Sequence, residues 1–94
     1  MSISHDTENK RFIKANPDGS RSYVQYSLEN GTMDIYETFV PTRYRGRETA
    51  TELVRTAFGF AEGKALRVIP TCPFVAALMD KEPVYAKLRK KNRS

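Results

Sequence analysis

The chain has 94 residues, 39% of them hydrophobic and 29% charged, with a formal net charge of +5. This length suits one small domain with a modest core, so residues 1–94 are expected to form a single domain. The apolar runs are too short to span a bilayer, and the polar N-terminus lacks the apolar segment of a secretion signal. A single cysteine excludes an internal disulfide, and together these features predict a cytoplasmic protein.

The positive charge is concentrated at the C-terminus. Five of the 16 basic residues follow the last acid, Glu82, and they are Lys87, Arg89, Lys90, Lys91 and Arg93. Without them the chain has 16 − 5 = 11 basic residues against 11 acidic ones, so its body is neutral. Residues 87–94 are therefore expected to form a solvated basic tail, which could attract nucleic acid or anionic lipid weakly and without specificity.

The N-terminal half is predicted to form an antiparallel meander. Residues 1–9 are polar and are expected to be disordered. Lys10–Ala15 and Arg21–Leu28 have strand patterns, and turn residues separate them. Asn30-Gly31 is a strong hairpin signal and leads into a third strand, Met33–Val40. No metal site is expected, because the only histidine lies far from the only cysteine and zinc usually takes three protein ligands.

The C-terminal half is predicted to contain two helices and a fourth strand. Apolar residues at helical spacing indicate a helix over Thr49–Glu62, with Gly63 as the residue just beyond its end. Leu66–Pro70 should form a strand parallel to the third one, since a helical crossover joins them. A last helix over Phe74–Lys81 can begin at Pro73. The fold class is therefore α+β, a mixed four-stranded sheet (an antiparallel meander plus one parallel crossover strand) with two helices.

A basic turn, Arg45-Gly46-Arg47-Glu48-Thr49-Ala50, lies between the third strand and the first helix. Backbone N–H groups, the positive end of a helix dipole and guanidinium groups converge there, which favours a phosphate or pyrophosphate. An alternative needs no ligand, because Thr49-Ala50-Thr51-Glu52 matches a capping box. The two are compatible, since a helix start has four N–H groups without intrahelical partners.

A strand, a basic glycine-containing turn, a helix and a parallel strand resemble the core of the GNAT superfamily of acetyl-CoA-dependent N-acetyltransferases. More specifically, the chain resembles the minimal single-domain GNAT-like proteins of the YjdJ-like type. The similarity covers roughly residues 10–86 and rests on Phe39-Val40-Pro41 ahead of Arg45-Gly46, and on Ile69-Pro70-Thr71-Cys72-Pro73-Phe74. It implies a minimal GNAT-like (acyl-CoA N-acyltransferase) fold and transfer of an acetyl group from acetyl-CoA to an amine of a small molecule or a protein lysine.

The same resemblance implies where the coenzyme would bind. The backbone near Phe39 and Val40 would pair with the pantetheine arm. The pyrophosphate would be held by the turn and the helix start, at Arg45, Gly46, Arg47, Thr49 and Ala50. Glu48 departs from the family, which has a central glycine there, and like charges about 4–6 Å apart cost on the order of 1–4 kcal/mol. A degenerate GNAT-fold binding module with weak or no CoA binding is therefore the alternative.

Two residues are candidates for catalysis. Cys72 matches a cysteine of the minimal GNAT-like proteins and precedes a helix, where thiols ionise more readily. It could accept the acetyl group or protonate the leaving thiolate, and the alternative is a small buried side chain. Glu37, where many minimal relatives have a histidine, shares a strand face with Ile35 and Phe39 if the alternation is unbroken, and a β-bulge near Thr38 would change that face. A carboxylate on an apolar face suits a general base, and the alternative is a solvated strand position.

The acceptor amine is not indicated by any motif. A chain of this length lacks the loops and helices that line acceptor pockets in larger members of the superfamily. The acceptor site is therefore expected to be open and shallow, and to be completed by a partner or a second subunit. A third interpretation is an accessory protein that uses its basic tail on nucleic acid or anionic surfaces.

Overall fold

The structure is a computed structural model that describes residues 3–46 and 48–90. Five strands form one sheet in chain order: β1 (Ile3–Asp6), β2 (Arg11–Ala15), β3 (Arg21–Glu29), β4 (Thr32–Phe39) and β5 (Arg67–Ile69). The helices are α1 (Thr49–Gly63) and α2 (Pro73–Lys81), with short 3-10 helices at Thr42–Tyr44 and Pro83–Leu88. No helix in the described ranges is long and apolar enough to cross a membrane.

The sheet confirms the predicted fold class and adds one strand to it. Strands β1 to β4 are antiparallel, and β5 lies parallel to β4 with Met33 opposite Val68. Asn30 and Gly31 have φ angles of 51° and 76°, the positive values that the two-residue hairpin turn requires. Pro73 opens α2 as predicted.

The prediction that residues 1–9 are disordered is wrong for Ile3–Asp6, and residues 1 and 2 lie outside the described chain. This segment pairs with β2 along its length, and the His5 ring stacks on Phe12 with centroids 4.0 Å apart. Its pattern is too polar to indicate a strand by itself. The segment is ordered because β2 supplies its backbone partners and the aromatic core supplies a contact for His5.

α1 begins at Thr49 as predicted and ends one residue later than predicted. The residue before the helix is Glu48, no side chain caps the helix start, and the Glu52 carboxylate binds Lys14 Nζ at 2.6 Å. The capping box therefore does not form. At the other end Gly63 is still helical, and Ala65 adopts the positive φ of 57° that terminates the helix.

The core lies on one side of the sheet, under both helices. Its largest fully buried side chains come from the strands, α1 and α2, and include Phe12, Val24, Tyr26, Met33, Ile35, Leu53, Val54, Phe58, Val68, Val75 and Met79. The alternate strand residues, among them Ile13, Tyr23 and Phe39, are not buried. We call their side of β2, β3 and β4 the outer face, because the buried core lies on the opposite side of these strands.

The predicted basic tail is wrong for residues 87–90, which belong to the folded body. Leu88 is 5% exposed and joins the core, and the Lys90 N–H donates to the Val68 carbonyl at 2.8 Å. Lys87 pairs with Glu62 at 2.8 Å, and Arg89 with Asp80 at 3.0 Å. Residues 91–94 lie outside the described chain.

Candidate functional site

A β-bulge in β4 decides which side chains face the core. Gln25 pairs with Glu37 while its neighbour Tyr26 pairs with Ile35, so Tyr36 is an extra residue on β4. Ile35 is buried before the bulge, and after it the inward positions are Thr38 and the buried Val40. Glu37 is therefore exposed on the outer face. Because the bulge breaks the alternation, Glu37 does not share an apolar face with Ile35, and the alternative of a solvated strand position is the one that the structure has.

Strands β4 and β5 pair only at Thr32–Asp34 and Arg67–Ile69. Beyond β5, the Thr71 hydroxyl donates to Asp34 Oδ1 at 2.5 Å, and the Cys72 N–H donates to the Ile35 carbonyl at 2.9 Å. These bonds hold the start of α2 against the middle of β4.

Cys72 lies at this junction. It is 8% exposed, it immediately precedes α2, and its thiol donates a hydrogen bond to Thr38 Oγ1 at 3.4 Å. Thr38 was not identified as a site residue from the sequence, because only the bulge turns it toward Cys72, and no motif fixes whether a bulge forms there. The result is a mostly buried thiol with an oriented proton, close to the start of a helix.

The basic turn follows β4 directly. Arg45 folds back so that its Nε donates to the Val40 carbonyl at 2.8 Å, and Gly46 has a φ of 81°. Arg47 lies outside the described residues. Thr49 is buried and begins α1, Ala50 is half-buried, and no side chain caps the helix start. N–H groups of the first helical turn are thus not taken up by a side-chain cap.

The segment before α1 is anchored from the opposite hairpin. Tyr44 is 7% exposed, and its hydroxyl accepts a hydrogen bond from the Asp18 N–H at 3.3 Å. A cavity of about 470 Å³ lies beside it, lined by Lys14, Ala15, Asn16, Pro17, Tyr44, Glu48, Thr49 and Glu52. Neither Cys72 nor Glu37 lines it, so this cavity and the thiol are separate features of the site.

The structure therefore brings some of the sequence-predicted residues together and separates another. Phe39, Val40, Arg45 and Gly46 follow one another along the chain into the start of α1, and Cys72 contacts β4 from the segment between β5 and α2. Glu37 is exposed, whereas its neighbour Thr38 takes the inward position beside the thiol.

Comparisons with known proteins agree with this architecture. Protein NATD1 of Danio rerio is 28% identical over 85 residues, which is 88% of this chain and 77% of that protein. Protein NATD1 of Bos taurus is 27% identical over 84 residues, or 87% of this chain and 74% of that protein. A GCN5-like protein from Staphylococcus aureus, solved by NMR, has the same fold, with a TM-score of 0.76 at 18% identity over 98% of this chain and 90% of that one.

The family assignment rests on a match over most of the length. The family model described as GCN5-related N-acetyl-transferase matches residues 11–88, a range from β2 to the last residue of the second 3-10 helix. It includes the bulged strand, the basic turn, α1 and Cys72. The chain belongs to the family of GCN5-related N-acetyltransferases.

Proposed function

We propose that this protein is an N-acetyltransferase that takes an acetyl group from acetyl-CoA and transfers it to an amine of a small molecule or a protein lysine. The observation that carries the proposal is the Cys72 thiol, held by Thr38 beside the strand that leads into a glycine turn and an uncapped helix start. Family membership supports it. A cytoplasmic location is part of the proposal, because a free thiol suits a reducing compartment.

The residues near the start of α1 fit the negatively charged pyrophosphate of acetyl-CoA in part. Gly46 allows a close backbone approach, and the first N–H groups of α1, at Thr49 and Ala50, have no side-chain cap. Arg45 and Arg47 would add positive charge, and the backbone of Phe39 and Val40 would accompany the pantetheine arm. Against this fit, the Glu48 carboxylate adds negative charge at the same helix start.

Acetyl-CoA supplies an activated acyl group as a thioester. In the direct route the acceptor ammonium first loses one proton to Glu37 or to water. The amine nitrogen then forms the new N–C bond, the C–S bond breaks, and the Cys72 thiol protonates the leaving thiolate, while the second proton lost by the nitrogen restores the Cys72 thiol. In the two-step route the Cys72 thiolate first takes the acetyl group with release of CoA, and the amine then takes it from Cys72. Glu37 is exposed on the outer face, so it can act as a base only on an amine that arrives from that side.

The first experiment is a titration of acetyl-CoA into isotope-labelled protein, followed by amide chemical shifts at low and moderate salt. We expect shifts over Phe39–Ala50 and near Cys72 that survive moderate salt. Replacing Glu48 by Gly should raise the affinity about tenfold, which corresponds to about 1.4 kcal/mol. Glu48→Gln is the matched control, because it removes the charge but keeps the bulk.

Two results would contradict this proposal. One is the absence of shifts with both the parent protein and Glu48→Gly, which would favour the degenerate binding module instead. The other is a set of shifts confined to Lys87–Ser94 and lost with salt, which would favour a nonspecific attraction of phosphate. The ion pairs of Lys87 and Arg89 with Glu62 and Asp80 already make that second result less favourable.

The role of Cys72 has its own test. Cys72→Ala should lower turnover by about 100-fold or more while acetyl-CoA affinity is retained, because the thiol acts on the reacting group rather than on the nucleotide. Mass spectrometry after incubation with acetyl-CoA then separates the two routes, since only the two-step route leaves an acetyl group on Cys72. Unchanged turnover in Cys72→Ala would show that the cysteine is only a packing residue.

A further inference from the structure

The outer face carries two parallel rows of side chains. Ile13, Tyr23 and Phe39 are direct neighbours across β2, β3 and β4, and they form an apolar row. The Tyr23 and Phe39 rings are 5.4 Å apart, and Phe39 is 37% exposed. A second row, which is polar, crosses the same three strands two residues further along β3, at Gln25.

The polar row holds two opposite charges at equal distances from its centre. Gln25 on β3 is paired with Arg11 on one side and with Glu37 on the other. Since neighbouring strands are about 4.8 Å apart, Arg11 and Glu37 are displaced by similar amounts from β3 in opposite directions. The Gln25 amide is already used, because it donates to the Asn9 carbonyl at 2.6 Å.

Neither charge has an ion-pair partner within the described chain. The Arg11 guanidinium lies over the Tyr23 ring, 4.5 Å from its centroid, and its buried Nε has no hydrogen-bond acceptor. Asp6 is opposite Arg11 in register, and hydrogen bonds from Asn9, with a smaller effect of the Arg11 charge, lower the pKa of its carboxyl group, but the two side chains form no direct ion pair. Glu37 is exposed, and among the described ion pairs it takes part in none.

We infer that the outer face binds a second copy of this chain, in a two-fold dimer whose axis runs along β3 between the two sheets. Rotation about this axis does not change how far along the strands a residue lies. It places β3 over the partner's β3, and β2 over the partner's β4. Arg11 of each copy then faces Glu37 of the partner, and Ile13 faces the partner's Phe39. Tyr23 meets its own equivalent at the centre, as a self-complementary two-fold interface requires.

This arrangement follows ordinary sheet packing. Two sheets that pack face to face keep their strands within about 30° of each other, so residues near the central strand keep their partners despite the twist. The interface would combine an apolar row, covered from solvent, with two symmetry-related ion pairs. It does not depend on acetyl transfer. In the dimer the partner's Arg11 covers Glu37, so the proton of the acceptor ammonium would then go to water rather than to Glu37.

The test reverses the two charges singly and in combination. Sedimentation equilibrium of the full-length protein, over a range of concentrations, should show a dimer. R11E and E37R should each weaken the dimer at least tenfold, because each puts like charges opposite one another twice. An equimolar mixture of R11E and E37R should restore association, since both contacts in the heterodimer are then between opposite charges.

The matched control is K64E, which makes the same change in net charge as R11E at the end of α1, away from the outer face. It should leave the dimer unchanged. E37R alters an exposed side chain and should fold normally, so the test does not depend on whether R11E folds. Amide spectra of both variants show whether each one keeps the native fold. A monomeric parent protein at every concentration would overturn the inference. So would failure of the mixture to associate, or an equal loss of dimer in K64E.

Discussion

At the scale of single residues, His5 is the clearest case of a side chain whose surroundings decide its properties. Its Nε2 lies 2.5 Å from the Tyr26 hydroxyl, its ring stacks on Phe12, and the Phe60 ring is steeply inclined to it, with the two centroids 4.6 Å apart. Burial among these rings lowers the pKa of His5, and the nearby Asp6 carboxylate only partly offsets this effect. An imidazole that must lose solvent contact in the folded state resists protonation there.

The lowered pKa of His5 predicts a pH-dependent stability. The unfolded chain binds the proton more readily, so the contribution of His5 is fully present above its ordinary pKa of about 6.5. It is lost as the pH falls through the lower pKa of the folded state. Urea unfolding between neutral and mildly acidic pH should show this decline, and His5→Gln should remove it. Since His5 is the only histidine, an undiminished decline in His5→Gln would contradict the prediction.

At the scale of elements, the end of α1 shows a residue in a conformation that it does not favour. The Leu66 N–H donates to the Ala61 carbonyl at 2.8 Å, and the Ala65 N–H donates to Glu62 at 3.2 Å. This is the Schellman pattern, which places the residue with positive φ at Ala65. Glycine is the usual residue there because a Cβ is crowded in that conformation.

Ala65→Gly should therefore stabilise the protein by about 0.5–1 kcal/mol, despite the larger unfolded-state entropy of glycine. The matched control is Ala77→Gly, at an exposed position inside α2, which should destabilise by about 0.5–1 kcal/mol. Denaturant unfolding of both variants gives the two free energies. Equal destabilisation by both changes would mean that the conformation of Ala65 carries no strain.

At the scale of the whole molecule, the C-terminal segment closes the core. Leu88 is 5% exposed and belongs to the same buried cluster as α1 and α2, whereas Val84 in the same 3-10 helix is 62% exposed. The Phe58 and Tyr85 rings, 4.6 Å apart, join this segment to α1 as well.

Leu88→Ala should lower the free energy of unfolding by about 2–4 kcal/mol, through lost burial and the cavity left behind. Val84→Ala, the matched control, should change it by less than about 0.5 kcal/mol. Because the total free energy of unfolding of a protein is about 5–15 kcal/mol, thermal unfolding should clearly show the difference in stability between these two variants. Similar values for the two variants would mean that residues 87–90 do not contribute to the core.

The sequence by itself determined the features whose causes are local or periodic. The Asn30-Gly31 turn, the apolar spacing of α1 and the proline at the start of α2 each have their cause within a few residues. They also fix the order of elements, and from that order the parallel pairing of β5 with β4 and the family resemblance both followed.

Only the tertiary structure decided what depends on partners from distant parts of the chain. An extra residue at Tyr36 reverses the faces of Glu37 and Thr38, and a bulge leaves no mark in composition because its cause is the pairing with β3. His5 and Leu88 lie in polar or basic segments, and they are ordered because Phe12 and Val68 lie on neighbouring strands that bind their segments. Local propensity is too weak to specify such positions, since their free energy comes from contacts that exist only after the chain has folded.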